Sequence, residues 1–366
     1  MESRLDIAGG WTRKRAAVRR HPTARRVILA WRRLTEGGKT PLPTLVACSG
    51  GSDSTALAVM LAAVSGEVVL GHVVHDLRDR GEALADRDAV RELAGRLGVA
   101  FAEAAVAVRR EGGNAEGAAR RLRYRALAEM ARAHGCGFVA TAHHADDQLE
   151  SMLMALVRGA GARGLSGITP SRRLAGGVTL VRPMLSVTRA EAEALCDGFG
   201  FSWQTDATNF ETGRLRAALR ARVLPVLEEL RPGAAARAAR GAGLVRGAAG
   251  LLAREGARVA ACGAWSAESV VWERSTLRRV EPVVLGEALR ASFARLTGGA
   301  GLDRLSGARL EAMVRAVRSG SGEPKRFVIG SVEMEVGRVF VRLGLAHEAE
   351  GSGVEASRDG ANEPRA

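Results

Sequence analysis

The stretch LVACSGGSDSTALAVMLAAV, Leu45–Val64, decides the fold. Leu45–Ser49 is a short apolar run ending in two glycines, the pattern of a buried strand. Ala56, Leu57, Met60, Leu61 and Val64 then recur on one face of a helix. Between them Ser49, Gly50, Gly51, Ser52, Asp53 and Ser54 form the turn from strand to helix. Glycines let the backbone approach an anion closely, and the N–H groups opening a helix can cradle phosphate. Ser49, Ser52 and Ser54 add hydroxyl donors, and Asp53 is placed to hold a Mg²⁺ against phosphate charge. The plain alternative is a tight turn with a good N-cap. Neither GxxxxGK(S/T) nor GxGxxG is present, so a Walker loop and a dinucleotide fingerprint are not indicated.

The alternation continues outward. Glu67–His75, Val99–Val108, Gly137–His143 and Val178–Met184 read as further strands. Helices are expected over Ala83–Leu97, Asn114–His134 and Asp146–Arg158, and again from Thr188. Strands alternating with helices of about 12 residues imply βαβ units and a parallel, doubly wound α/β sheet, with ligands beyond the carboxyl ends of its strands. After Phe201 the pattern changes. Arg214–Leu230 is an arginine-studded helix broken at Arg231–Gly233, Ala234–Ala261 is helical, and Arg326–Leu345 reads as two strands joined near Gly337. That predicts a smaller C-terminal α+β domain.

The chain has 366 residues, enough for two domains, and 46% hydrophobic residues, which excludes global disorder. Its net charge is +14, with 54 Lys+Arg against 40 Asp+Glu. Only Lys14, Lys39 and Lys325 are lysines, leaving 51 arginines, the side chain that forks onto phosphate. Residues 1–40 hold eleven basic and three acidic residues and read as a basic N-terminal extension with a short peripheral helix. A solvated helix, an RNA-contacting arm and an organellar transit peptide share that composition. Cys48, Cys136, Cys196 and Cys262 form no CxxC pair, so zinc ribbons and iron–sulfur clusters are unsupported and a reduced, cytoplasmic setting is expected. No apolar run approaches the roughly 18–20 residues of a membrane span.

Four further segments carry chemistry. His75-Asp76-Leu77-Arg78 closes the second strand; Arg78 can reach a phosphate and His75 can hydrogen-bond the nucleotide. Glu111–Glu116 runs on to Arg120, Arg123 and Tyr124, where two guanidinium groups at i, i+3 share a helix face. Thr141–Ser151, TAHHADDQLES, starts at a strand tip. Asp147 and Glu150 at i, i+3 suit an ammonium group or Mg²⁺, and His143 suits phosphate contact or proton transfer. A transition-metal site on His143, His144 and Asp147 lacks a third imidazole or thiolate nearby. Arg216 and Arg220, at i, i+4, would bind RNA phosphate or pair with a neighbouring acid.

The SGGSDS turn resembles the pyrophosphate-binding loop of the PP-loop ATP-pyrophosphatases. Within that class, HDLR, the ARRLRY run, TAHHADDQLES, RGAGARGLSG from Arg158, Arg182–Leu185, Trp203/Asp206/Thr208/Asn209 and Arg216–Arg220 resemble the tRNA(Ile)-lysidine synthetase family. The likeness spans about Leu45 to Leu227; Ala217 stands where that family usually has Asn, and Ser151 where it has Thr. The resemblance implies a ligase that uses ATP and Mg²⁺. The wobble cytidine of an isoleucine tRNA with a CAU anticodon is adenylated, and free L-lysine displaces AMP to give lysidine. It implies ATP contacts at Ser49–Ser54, His75 and Arg78, with Mg²⁺ at Asp53. Asp147, Glu150 and Arg123 would bind lysine, and Asp53, His143 and Asp147 would carry the chemistry. Arg214, Arg216, Arg220 and Arg222 would contact tRNA. The expected organisation is a basic extension over 1–40, a PP-loop adenylating domain over 41–230, a C-terminal tRNA-binding domain over 231–346 and a disordered tail over 347–366. A homodimer is the one protein partner considered. The rivals are another adenylating tRNA-modifying enzyme such as a thiolase, and a non-catalytic RNA-binding protein on a degenerate nucleotide fold.

Overall fold

The computed structural model describes residues 2–35, 42–75, 80–107, 115–204, 214–320 and 323–346. The chain divides into two compact units, Met1–Gly247 and Ala248–Ala366.

The first unit opens with α1 (Glu2–Arg20) and α2 (Pro22–Leu34). Then follow β1 (Thr44–Ala47), α3 (Ser52–Ala62), β2 (Val68–His75), α4 (Arg80–Leu97), β3 (Ala100–Val106), α5 (Ala115–Ala133), β4 (Phe138–Ala140) and α6 (Ala145–Val157). A short α7 (Ala162–Leu165) leads to β5 (Ser171–Arg173), β6 (Thr179–Val181) and α8 (Arg189–Phe199). The helical run α9 (Arg214–Ala218), a π-helical turn (Leu219–Val223) and α10 (Leu224–Leu230) precedes α11 (Ala234–Ala261). The sheet order is β3-β2-β1-β4-β6-β5. Every pairing is parallel except β5 on β6, so the expected parallel sheet carries an antiparallel edge strand that the sequence pattern does not disclose.

Strand alternation sorts the apolar residues between the two faces. Val46, Leu70, Ala140 and Val181 face the core built with α2, α3, α4 and α8. Leu45, Val69, Val139 and Leu180 face the core built with α5. Both faces are covered, which explains why the strands read as continuous apolar runs.

The N-terminal helices correct an expectation. Residues 2–35 form two helices rather than one short peripheral one, and Trp11, Val18, Ala24, Val27, Ile28 and Trp31 belong to the first core. Trp31 is fully buried and its Nε1 donates to Thr44 Oγ1 at 3.1 Å. The Trp11 ring meets Phe201 edge-on, with centroids 5.7 Å apart. Arg25 and Arg26 remain exposed, so the basic composition describes only the outer face of an amphipathic pair.

The second unit contains β7 (Ala264–Trp265), β8 (Ser269–Glu273), α12 (Arg274–Arg278), α13 (Pro282–Leu296), α14 (Gly307–Arg318), β9 (Lys325–Ile329), β10 (Val332–Val336) and β11 (Phe340–Leu345). Its strands form an antiparallel sheet in the order β7-β8-β11-β10-β9. The run expected as two strands is three, because the chain already reverses at Gly330, which takes a φ of +61°. Arg274 is buried here and donates to the carbonyls of Ala316, Val317, Ser319 and Gly337 at 2.8–2.9 Å, closing the end of α14. The expected tail over 347–366 lies outside the described residues. No helix among the described residues is long and apolar enough to cross a membrane.

If α2 is part of the core, Trp31→Ala lowers whole-chain stability by about 3–5 kcal/mol. Urea denaturation would show this as an earlier midpoint, and an unchanged midpoint would return α2 to the periphery.

Candidate active site

β1 and β4 are parallel neighbours, with Thr44 opposite Phe138 and Val46 opposite Ala140. Their carboxyl ends therefore emerge side by side, one entering α3 and the other α6. β2 lies on the far side of β1, so the chain runs both ways from this point and the junction is the switch point of the sheet.

The first loop is shaped from within. Gly50 takes a φ of +93°, which only glycine adopts without strain. The Ser54 hydroxyl donates to Gly51 O at 3.0 Å and accepts from Ser49 N–H at 3.2 Å. Ser54, expected as a ligand donor, instead fixes the turn. Thr55 N–H donates to Gly51 O at 3.0 Å, so the N–H groups of Ser52, Asp53 and Ser54 precede the helical ladder. Outside contacts hold the loop: Gln204 N–H donates to Gly50 O at 2.9 Å and His72 Nδ1 bonds Cys48 O at 2.9 Å. Cys48 is buried, and burial pushes its thiol pKa up despite its hydrogen bonds with Gly50 and Ser54.

The second loop brings an imidazole to the first. His144 caps α6, and its Nε2 lies 3.5 Å from Asp53 Oδ2 and 3.5 Å from Asp147 Oδ2. Its Nδ1 lies 3.2 Å from Asp146 Oδ2. Burial opposes charging this ring, but Asp147, Asp146 and Asp53 together overcome it and raise the pKa to about 10. His143 shows the opposite balance. Burial dominates there, opposed by Asp147 and reinforced by Arg182, Arg120 and His144, and the ring is held down to about 4. Its Nδ1 is 3.0 Å from Thr141 Oγ1. At neutral pH the charged histidine is therefore His144, and His143, the ring singled out from the sequence, is neutral.

Residues on α8 tie the two loops together. Arg189 N–H donates to Asp146 Oδ2 at 2.9 Å, Arg189 Nε donates to Glu193 Oε1 at 2.8 Å, and Ser52 Oγ donates to the same Glu193 oxygen at 3.3 Å. Sequence reading missed Arg189 and Glu193, which sit 43 to 141 residues from their partners. Asp53 Oδ1 is buried and has no hydrogen-bond partner. A Mg²⁺ bound through one carboxylate oxygen with phosphate and water would suit that atom. Among the described residues no three carboxylate, imidazole or thiol groups form a metal cage.

Along α6, Asp147 and Glu150 do share a face, and Glu150 is fully buried. Arg216 pairs with Glu150, while Arg220 reaches Asp147 at 3.1 Å and Glu150 at 3.0 Å. Of the two readings of these arginines, phosphate contact or an acidic partner, the structure shows the acidic partner. Gln148 clamps the glycine-rich loop after α6, donating to Ile168 O at 2.9 Å and accepting from Ile168 N–H at 2.7 Å. Gly167 is at a φ of +65°, and a Cβ there would overlap Gln148 Oε1. That segment is an anchored turn with its own helix α7.

The remaining sequence candidates are dispersed. Arg123 is exposed on α5 and Arg222 is exposed on the π-helical turn. His75 ends β2 and Arg214 begins α9, but their side chains lie outside the described residues, as do Arg78, Asp206, Thr208 and Asn209. In the second unit, an open groove of about 960 Å³ is lined by Arg315, Arg318, Lys325, Arg326 and Phe327.

A family model described as a PP-loop domain matches residues 30–227. The tRNA(Ile)-lysidine synthase of Salinispora tropica is 43% identical over 192 residues, 51% of this chain and 57% of that one. The Salinispora arenicola enzyme of the same name is 41% identical over 228 residues, covering 60% and 68%. That of Methylobacterium nodulans is 38% identical over 272 residues, covering 69% and 78%. The chain thus spans little more than half the length of the first of these relatives. It belongs to the PP-loop family, the class its fold and anion loop define. Within that family it belongs to the tRNA(Ile)-lysidine synthases.

The two histidines give a pH test. His144 has a folded pKa of about 10 against an ordinary 6.5, so its contribution to stability is complete below 6.5 and lost as pH rises toward 10. In metal-free protein, His144→Gln should be most destabilised relative to the parent near pH 6, with the gap closing by pH 10. Side-chain NMR should show one ring of the pair titrating near 10 and the other below 5; two titrations near 6.5 would contradict the geometry.

Proposed function

We propose that this chain ligates free L-lysine to the wobble cytidine of an isoleucine tRNA with a CAU anticodon, consuming ATP and forming lysidine, AMP and pyrophosphate. The observation that carries this reading is the contact of Asp53 with His144 and of His144 with Asp147. It joins a phosphate cradle to an acidic helix within one site. The N–H groups of Ser52, Asp53 and Ser54, with Gly50 and Gly51, would hold the diphosphate end of ATP. Asp53 would hold Mg²⁺, which supplies charge neutralisation for the diphosphate.

The base carbonyl oxygen attacks the α-phosphorus, an oxygen–phosphorus bond forms, and the bond to the bridging oxygen of pyrophosphate breaks. AMP on the base is then a leaving group. The lysine side-chain amine attacks the ring carbon, and AMP departs with the former carbonyl oxygen. Asp147 and Glu150 would receive the cationic amino acid by exchange with Arg216 and Arg220, the cations they hold here. The attacking amine must be neutral. His143, uncharged and hydrogen-bonded through Nδ1 to Thr141, leaves Nε2 as the atom through which its proton can pass. Arg123 would meet the lysine carboxylate. His75 and Arg78 would contact ATP, and Arg214 and Arg222 would contact tRNA.

The +14 net charge supports a polyanionic partner. The basic groove of the second unit would add tRNA backbone contacts, extending the proposed tRNA-binding domain over 231–346. The reaction belongs in the cytoplasm, where ATP, lysine and tRNA meet. A thiolase reading is less well supported, because burial raises the pKa of Cys48 and holds Cys196 at about 12, leaving neither poised to carry sulfur.

Pyrophosphate release over many turnovers should require both minor isoleucine tRNA and lysine; multiple turnover without lysine would reject the reading. Asp53→Asn should lower turnover by at least about 10²-fold while tRNA affinity is retained. Full turnover in that variant would remove Asp53 from the site.

A further inference from the structure

The mechanism leaves a dense group of arginines unused on the flank of the first unit. α5, β5 and the turn Ala175–Gly177 enclose an open cleft of about 440 Å³. Arg120, Arg121, Arg125, Arg172 and Arg173 line it around Tyr124, the chain's single tyrosine, and no acidic side chain among the described residues lines it.

The cluster is built rather than accidental. Tyr124 is buried, and its ring carries the guanidinium of Arg172 at 4.4 Å and that of Arg120 at 5.2 Å. A guanidinium stacked on a ring keeps its hydrogen-bonding fork in plane, available for a bidentate contact with phosphate. Beneath them Arg182 is buried, bonds Thr169 O at 2.7 Å and lies within hydrogen-bonding reach of the Tyr124 hydroxyl. Thr141 N–H donates to Val181 O at 3.0 Å, so Arg182, the next residue after Val181, lies beside the loop that carries His143.

Direction also matters. α5 follows the parallel strand β3, so it starts at the carboxyl edge of the sheet and descends. β5 is antiparallel to β6 and so descends in the same sense as α5, Ser171 pairing with Val181 and Arg173 with Thr179. The arginines are therefore spread along two elements running in the same sense, Arg120 to Arg125 over roughly 7.5 Å of α5 and Arg172 to Arg173 on β5. A single bound phosphate or the triphosphate of ATP would call for charges converging on one point. Guanidinium groups spread over that length suit successive phosphates of a chain.

We propose that this arginine cleft binds the phosphodiesters of the RNA strand flanking the base that enters the site. The proposal rests on the RNA-modifying reading above and assigns that substrate a second contact surface.

The test uses the full chain and an anticodon stem-loop of minor isoleucine tRNA, with affinity measured by fluorescence anisotropy across a NaCl series. Arg125 and Arg172 are both exposed and hold no part of the proposed chemistry. The double variant Arg125→Gln/Arg172→Gln should bind at least about tenfold more weakly at low salt, with the slope of log K against log[salt] shallower by about 1.4, roughly 0.7 for each phosphate no longer neutralised. The Arg125→Lys/Arg172→Lys pair should retain the slope. Affinity for a non-hydrolysable ATP analogue should be unchanged in both.

An unchanged slope in a glutamine variant that melts like the parent would overturn the proposal. So would a loss confined to ATP affinity, which would assign the cleft to the nucleotide. The outcomes also separate this proposal from the enzymatic reading. Lysine-dependent turnover by the parent with no slope change in the variant removes only the cleft. A cleft-dependent slope with no lysine-dependent turnover removes only the reaction. A parent chain that does not bind the stem-loop removes both.

Discussion

Everything at the site follows from one adjacency, the parallel pairing of β1 with β4. It sets the first turns of α3 and α6 beside each other at the carboxyl edge of the sheet. Two positive helix ends in one place attract negative charge. The chain supplies Asp53 on one and Asp146 and Asp147 on the other. Three carboxylates so close need a cation between them, and His144 is that cation. Its ring stays protonated although it is buried, because removing the proton would leave three facing anions.

The same electrostatics divides two neighbouring residues that the sequence presents as a pair. His144 points among the carboxylates. His143 is buried with Arg182 and Arg120 bearing on it and remains neutral. The acidic face of α6 is balanced in turn by Arg216 and Arg220, so the buried carboxylate of Glu150 is never without a partner. Charge along α6 is matched group by group, while Asp53 Oδ1 on α3 has no hydrogen-bond partner.

The abundance of arginine also acquires structural meaning. Arg274 is buried and uses several donors at once on backbone carbonyls, a task suited to a planar fork and ill suited to an ammonium group, and the buried Arg182 bonds Thr169 O. Arg120 and Arg172 lie on an aromatic ring. The bulk charge of the chain is thus divided between internal fastening and an outward face.

Local pattern was enough for the five parallel strands of the first sheet. Apolar runs such as Leu45–Ala47 and the glycines after them specify buried strands and the loop following each, and TAHHADDQLES announces a strand tip and an acidic helix. Identity of the loop residues, with the resemblance they carry, singled out the loops after β1 and β4 as the candidate site. Local pattern failed where strands were short or lay at an edge, as with β5 and β7, and where one run folded into the β9–β10 hairpin at Gly330. It also failed for the basic N-terminus, since composition averages over both faces of a helix and hides Trp11 and Trp31. Which histidine is charged, which oxygen of Asp53 lacks a partner, and that Glu193 reaches Ser52 were decided only in three dimensions. Those properties depend on burial and on groups distant in the chain, whereas a strand or a turn depends on its neighbours in sequence.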